Sequence, residues 1–177
     1  MLTPRGSDAV RVLLALAMPA LLVGCQATLP TTPSGVLSTI HQKTLELAAK
    51  RALDQAGITT EKYGAMRLSV RFEEVQDQDL GKQHVRRVIT DRLQGAAQAI
   101  VDQPPEADRS LVCYVLLAGV DVSRGEFFGF SWLDTKAEVQ LRFQEIGGAT
   151  PTQTEGAGTA KYSQVWWLGI GPSESLK

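Results

Sequence analysis

Cysteine and histidine are scarce in this 177-residue chain, which holds only Cys25, Cys113, His41 and His84 of these types. Any intramolecular disulfide therefore has to join Cys25 to Cys113. Neither histidine has a cysteine, histidine or carboxylate at a spacing that reads as a zinc or iron site. His84, beside an apolar stripe, reads as a helix-face residue. The sequence has no GxSxG, no HExxH and no P-loop, and "GIGPS" near the C-terminus has no helix after it to offer its N-terminus to a phosphate. That stretch reads as a turn closing the last strand. Neither sign of charge is in excess: 18 Lys and Arg stand against 19 Asp and Glu, a net charge of −1. Nucleic-acid binding rests on a basic face that neutralises phosphates, so this balance argues against nucleic acid as a partner. The apolar run Val12 to Val23 contains Pro19 and is too short for a membrane helix, which needs about 20 apolar residues. There is no internal repeat, and no low-complexity block longer than a loop.

What the N-terminus does contain is Arg5 and Arg11, then that short apolar run, then Gly24. A basic region, a short apolar core and a small residue at the cut make up a secretory signal. The end of the run departs from an A-x-A cleavage site. Leu22-Val23-Gly24-Cys25 instead resembles the lipobox of bacterial lipoproteins; the alternative is that Cys25 is merely a small apolar residue of a signal or core helix. The resemblance implies that the Cys25 sulfur receives a diacylglyceryl group, that Cys25 becomes the N-acylated first mature residue, and that no other cofactor is needed. Each buried CH₂ adds roughly 0.8 kcal/mol, and two or more chains hold a protein stably on a membrane. Gln26 stands where an aspartate would resemble an inner-membrane retention signal. The implied location is the inner leaflet of an outer membrane, facing the periplasm. With Cys25 alkylated, Cys113 is left without a partner in the apolar stretch Leu111 to Ala118, where a free thiol behaves as a small hydrophobe.

The chain then divides into a signal at 1–24, a lipidated cysteine and tether at 25–35, and a single domain at 36–177, a size typical of one core. Pro30 and Pro33 bracket Thr31-Thr32 in the tether and favour extended chain, roughly 30 Å in reach. From Val36, apolar residues recur at three- and four-residue steps as far as Ala56, and Gly57 with Ile58 ends the helix. Met66, Leu68, Val70 and Phe72 alternate with polar residues, the mark of a half-buried strand. Asp77 or Asp79 is placed to cap a second helix, whose stripe runs from Val85 to Ile100 and stops at Pro104-Pro105. "LVCYVLLAGVDV", 111–122, is apolar on both parities and reads as a central strand covered on both sides. Ser123 to Glu126 reads as a turn, Leu133 to Gln144 as an amphipathic strand, 147–158 as a loop, and 159–168 as the last strand. The order α-β-α-β-β-β predicts a two-layer α+β domain with a mostly antiparallel four-stranded sheet and two helices on one face.

Glu73-Glu74 and Asp77/Asp79 could form an acid/base pair or a cation site, but capping and the helix dipole ask for acids at those places. Arg86, Arg87 and Arg92 lie mostly off the apolar stripe and read as a solvated face. The unusual feature is "GEFFGFSW". Phe127 and Phe128 are neighbours that must face opposite ways in extended chain, and Trp166-Trp167 pose the same problem. At least one aromatic of each pair should lie off the core. Three placements meet that requirement: a satellite cluster under the first helix, a protein interface, or a membrane-facing wedge.

"VDVSRGE", "TKAEVQLRF" and "GTAKYSQ" resemble the C-terminal sheet of YajG-like bacterial lipoproteins, over about a third of the mature chain. More loosely, "RLSVRFEEVQD" resembles the TolB N-terminal-like domains of outer-membrane lipoproteins of the PelC, CsgG and LpoB type. The chain departs from that pattern in its aromatic insert and in ending soon after the last strand. The resemblance implies a non-enzymatic, lipid-anchored periplasmic scaffold of envelope assembly or polymer export. Its partner would be an envelope protein or a second copy, with Phe127, Phe128, Phe130, Trp166 and Trp167 as the contact residues. The rival expectation is a monomeric binding domain that uses the same aromatics as the wall of a pocket for a small apolar or glycan ligand.

Overall fold

The computed structural model describes residues 38–73, 75, 79–102, 106–147 and 151–177. The expectations placed on Leu22, Val23, Gly24, Cys25 and the tether lie outside these residues, as do those on Glu74, Asp77 and Pro104-Pro105. In chain order the elements are α1 (Thr39–Gln55), α2 (Thr60–Tyr63), β1 (Arg67–Glu73), α3 (Leu80–Ala96), β2 (Ala99–Val101), β3 (Arg109–Phe127), β4 (Phe130–Ile146), β5 (Thr152–Trp167) and β6 (Ile170–Leu176).

Local chemistry sets the helix ends. The Ser38 hydroxyl accepts from the His41 N–H at 3.2 Å, satisfying one of the free donors of the first turn of α1. At the other end Gly57 takes a φ of +71°, and the Ile58 N–H returns to the Leu53 carbonyl at 3.1 Å. This reversal buries Ile58 against the core and so closes the helix on an apolar contact. Asp79 caps α3 by accepting from the Lys82 N–H at 3.0 Å.

The sheet has six strands in the order β2-β1-β3-β4-β5-β6. β1 pairs in parallel with both β2 and β3, and the remaining pairs are antiparallel. The expected four-stranded, mostly antiparallel sheet with two helices is therefore corrected to a six-stranded mixed sheet with three helices among the described residues, still of the α+β class. Two strands account for the difference. The stripe expected to carry the second helix to Ile100 breaks at Ala96, and Ala99–Val101 pairs with β1 instead, with the Gln98 N–H donating to the Met66 carbonyl at 3.0 Å. In "GIGPS" only the first residue, Gly169, is in a turn, and Ile170 to Ser173 belong to β6.

Leu45, Ala48, Ala49, Ala52 and Leu53 of α1 and Val85, Ile89 and Leu93 of α3 form one core with Leu68, Leu111, Cys113, Val115, Val139, Leu141 and Phe143 of the sheet. Both helices thus lie on one face, and no described element covers the other. Outward-facing residues there pair across strands, as Arg142 does with its register partner Glu155 at 2.8 Å. The expectation that 111–122 is covered on both sides fails for a definite reason. The register slips by one between Val115 and Leu117, leaving Leu116 unpaired. This bulge changes parity, so Leu111, Cys113 and Val115 before it and Ala118 and Val120 after it all turn toward the helices. One buried face is written on two parities.

The loop expected at 147–158 is also strand from Thr152 onward. Gly156 and Gly158 lie directly beneath α1, where an added Cβ would overlap the Ala52 and Ala48 carbonyls. The strand carries glycine there because the helix backbone rests on it. β6 pairs only with Tyr162 to Trp167, and α1 serves the uncovered first half of the β5 edge. Gln55 accepts from the Ala157 N–H at 2.8 Å, and Arg51 donates to the Thr159 carbonyl at 2.5 Å.

Candidate functional site

A helix of 17 residues such as α1 is roughly 25 Å long. A strand of 19 residues such as β3 is roughly 60 Å long. The helical layer cannot cover such strands. The ends of β3 and β4, joined by β5 and β6, therefore run on as a four-stranded antiparallel arm with no helix against it among the described residues. The inner strands pair on both sides, Val122 with Thr135, Gly125 with Trp132 and Phe127 with Phe130, and Thr135 with Tyr162 through Phe130 with Trp167. β3 beyond Tyr114 and β6 are edges that pair on one side among the described residues. The expected turn at Ser123 to Glu126 is part of this ladder. Gly125 lies under the indole of its partner Trp132, which occupies the space a Cβ would need.

The arm ends in two adjacent two-residue turns, Phe128-Gly129 and Leu168-Gly169. Their φ values are +45° and +79° in the first and +47° and +77° in the second. Positive φ at both central positions is the type I′ geometry that suits hairpin twist and favours Asn-Gly. A bulky apolar residue in this region costs about 1–2 kcal/mol, so both turns hold Phe128 and Leu168 against local preference. The turns are tied together: the Leu168 N–H donates to the Gly129 carbonyl at 2.7 Å, and the rings of Phe130 and Trp167 stand 3.7 Å apart between centroids. Phe127 packs edge-on to Phe128 at 4.8 Å.

This end is apolar and open to solvent. Phe127, Phe128, Leu168 and Ile170 are 59%, 72%, 67% and 75% exposed, and Phe130 and Trp167 are exposed as well. No residue from 127 to 133 or from 165 to 173 carries a charge. Of the five expected contact residues, the structure gathers Phe127, Phe128, Phe130 and Trp167 at the arm end, with Trp166 half-buried beside them. None of the five is in the core, so a satellite cluster under α1 is not where they lie. Leu168 and Ile170 are additions to the expected set, because the sequence pattern places 159–168 in a single last strand and "GIGPS" in a turn after it. The mirrored aromatic- or aliphatic-Gly pairs, Phe128-Gly129 and Leu168-Gly169, are the signal that could have revealed them.

No family model matches the chain, and no curated protein matches it. Its own chemistry is what remains to be read. Among the described residues no group of three or more His, Cys, Asp or Glu is placed to hold a metal ion, and no helix is long and apolar enough to cross a membrane. Cys113 is fully buried, and burial pushes its thiol pKa far up, into the range of an unreactive thiol. His84, Arg87, Asp91 and Arg92 of α3 line a shallow groove with Glu46 and Lys50 of α1. Two of its cations are engaged: Lys50 with Glu46 at 2.6 Å and Arg92 with Asp54 at 2.5 Å. Glu145 is the one buried carboxylate among the described residues, its side chain 5% exposed. Burial alone would raise its pKa, but Arg109 and Lys62 donate to it and hold it below the ordinary glutamate range. Tyr63 also points its hydroxyl at this carboxylate, at 3.4 Å. The group ties α2 to the ends of β3 and β4 and is far along the strands from the arm.

Proposed function

We propose that this protein is a non-enzymatic, lipid-anchored interaction protein of the bacterial periplasm, a scaffold in envelope assembly or polymer export, with the arm as its contact element. The observation that carries this reading is the open apolar end of the arm. Contiguous exposed apolar surface of this kind marks an interaction site, and here it stands beyond the layer that completes the core. The lipobox resemblance of Leu22 to Cys25 supplies the anchor, and the YajG-like resemblance supplies the class. An anchor concentrates the domain at one surface, so a modest contact is strengthened by local concentration. A pocket for a small ligand would need these aromatics to wall a cavity, whereas Phe128 and Leu168 stand at the extremity of hairpins. The test is a photocrosslinking residue at position 128 of the full chain in cells, with mass spectrometry of the adducts. An adduct with an envelope component, protein or phospholipid, is expected. A folded, envelope-localised chain that yields none removes the arm as the contact element. For the anchor, Cys25→Ala is expected to accumulate as precursor without labelled fatty acid, and normal labelling of that variant refutes the lipobox reading.

A further inference from the structure

We propose that the arm end inserts into the interface of the same leaflet that holds the acyl chains of Cys25, giving the domain a second grip on lipid made of protein. This rests on the lipoprotein reading above and names the partner of the arm. The first argument is the position of the chain. Ala52 lies over Gly156 and Ala48 over Gly158, so α1 runs antiparallel to β5 with its N-terminus toward the arm. Thr39, Ile40 and Lys43 accordingly line a groove with Tyr162, Glu174 and Leu176 at the base of β6. From Tyr162 to the turn at Leu168 is six residues of strand, roughly 20 Å. The stretch 26–37 spans at most roughly 40 Å. An acylated Cys25 can therefore lie in one plane with the turns, and the tether leaves the domain from the end at which the arm projects.

The second argument is chemistry. A bilayer interior rejects unpaired backbone groups, so the part that enters is the pair of turns, which bond to each other through Leu168 and Gly129, while the open edges of β3 and β6 stay at the headgroup level. Phenylalanine, leucine and isoleucine occupy the outermost positions together with Trp167, and Trp166 and Trp132 stand one and two residues further back along the strands. That order follows depth in a membrane, where tryptophan prefers the headgroup level. A protein partner would be met by a polar rim, whereas the outermost level of the arm carries no charge: Glu126 stands one step behind it, level with Trp166, and Asp134 and Glu174 lie behind Trp132.

All three tryptophans of the chain are in the arm, so tryptophan fluorescence, excited at wavelengths too long for tyrosine, reports on it alone. The full chain is purified from envelopes and reconstituted into phosphatidylethanolamine–phosphatidylglycerol vesicles, with and without bromine-labelled phosphatidylcholine. The expected result is quenching by the bromolipid, lost in the double variant Phe128→Asn, Leu168→Asn while the protein stays on the vesicles. Asparagine suits both left-handed positions, so the turns persist, and far-ultraviolet circular dichroism checks the fold. Absent quenching in vesicle-bound wild type, or equal quenching in the variant, overturns the proposal. So does shielding of the tryptophans from acrylamide without lipid together with a doubled mass, which would place a second copy on the arm end. If mass spectrometry finds no acyl group on the chain, the lipoprotein reading fails separately. Bromolipid quenching of that unacylated chain then decides insertion by itself: its presence supports the proposal and its absence overturns it.

Discussion

Replacing Gly158 with alanine isolates the contact between α1 and β5. The added Cβ would overlap the Ala48 carbonyl oxygen and stand 2.8 Å from the Ala52 nitrogen, where non-bonded heavy atoms settle at roughly 3.5 Å. Both neighbours are helix backbone and cannot rotate away, so α1 has to lift by roughly 1.5 Å over this strand. A gap of about 1 Å already forfeits about half of the dispersion well. Leu45 and Leu53, fully buried on α1, are each worth about 2 kcal/mol of burial, and the alanines between them lose contact as well. The expected cost is about 2–3 kcal/mol, at the upper end of overpacking substitutions. For a domain of this size that lowers Tm by roughly 6–10 °C. The control is Gly95→Ala in α3, where nothing lies within 4 Å of an added Cβ. Removing a helical glycine there should stabilise by about 0.5 kcal/mol. Thermal unfolding followed by circular dichroism measures both variants. If Gly158→Ala melts with the wild type, or if the two alanine variants shift alike, the helix does not rest on the strand backbone and the reasoning is wrong.

Two further expectations concern the buried polar groups. Glu145→Gln should cost about 2–3 kcal/mol near neutral pH, because Arg109 and Lys62 lose their shared carboxylate. Since the folded-state pKa is depressed, the wild-type advantage is present above the ordinary glutamate pKa of about 4.3 and shrinks as pH falls through the folded value. Denaturant titrations near pH 7 and near pH 3 should therefore show the two proteins converging in acid, and a constant gap refutes the ion-pair account. Cys113 should be inert to a thiol reagent such as Ellman's in the native protein and react once denaturant exposes the core; fast native labelling would mean that the sheet opens locally around β3.

How far the fold could be read in advance depended on whether one pattern held along a whole element. α1 was legible because a single 3.6-residue stripe runs to a glycine stop, and β4 because strict alternation continues from Leu133 to Gln144. β3 was misread where Leu116 interrupts the alternation, since a bulge makes a one-sided strand look two-sided. β2 is three residues long and carries no periodic signal. In β5 the inward positions under α1 are glycines, so the strand was hidden by the very residues that permit close packing. The aromatics were legible as misfits, because neighbours such as Phe127 and Phe128 cannot share a face. Their common destination was not, because it depends on two turns more than thirty residues apart in sequence meeting at Gly129 and Leu168.

The unpaired Leu116 gives the arm a mechanical property. A bulge bends its strand and tightens the local twist, and here it lies eleven residues before Phe127, roughly 35 Å of strand. Over that radius a change of about 10° in the bend swings the apolar end sideways by roughly 6 Å, a little more than the spacing between two strands. Fine aiming of the end thus belongs to a residue near the middle of the sheet, beside the rigid core and far from anything the end touches. Substitutions around Val115 to Leu117 would steer it without altering a single side chain at the point of contact.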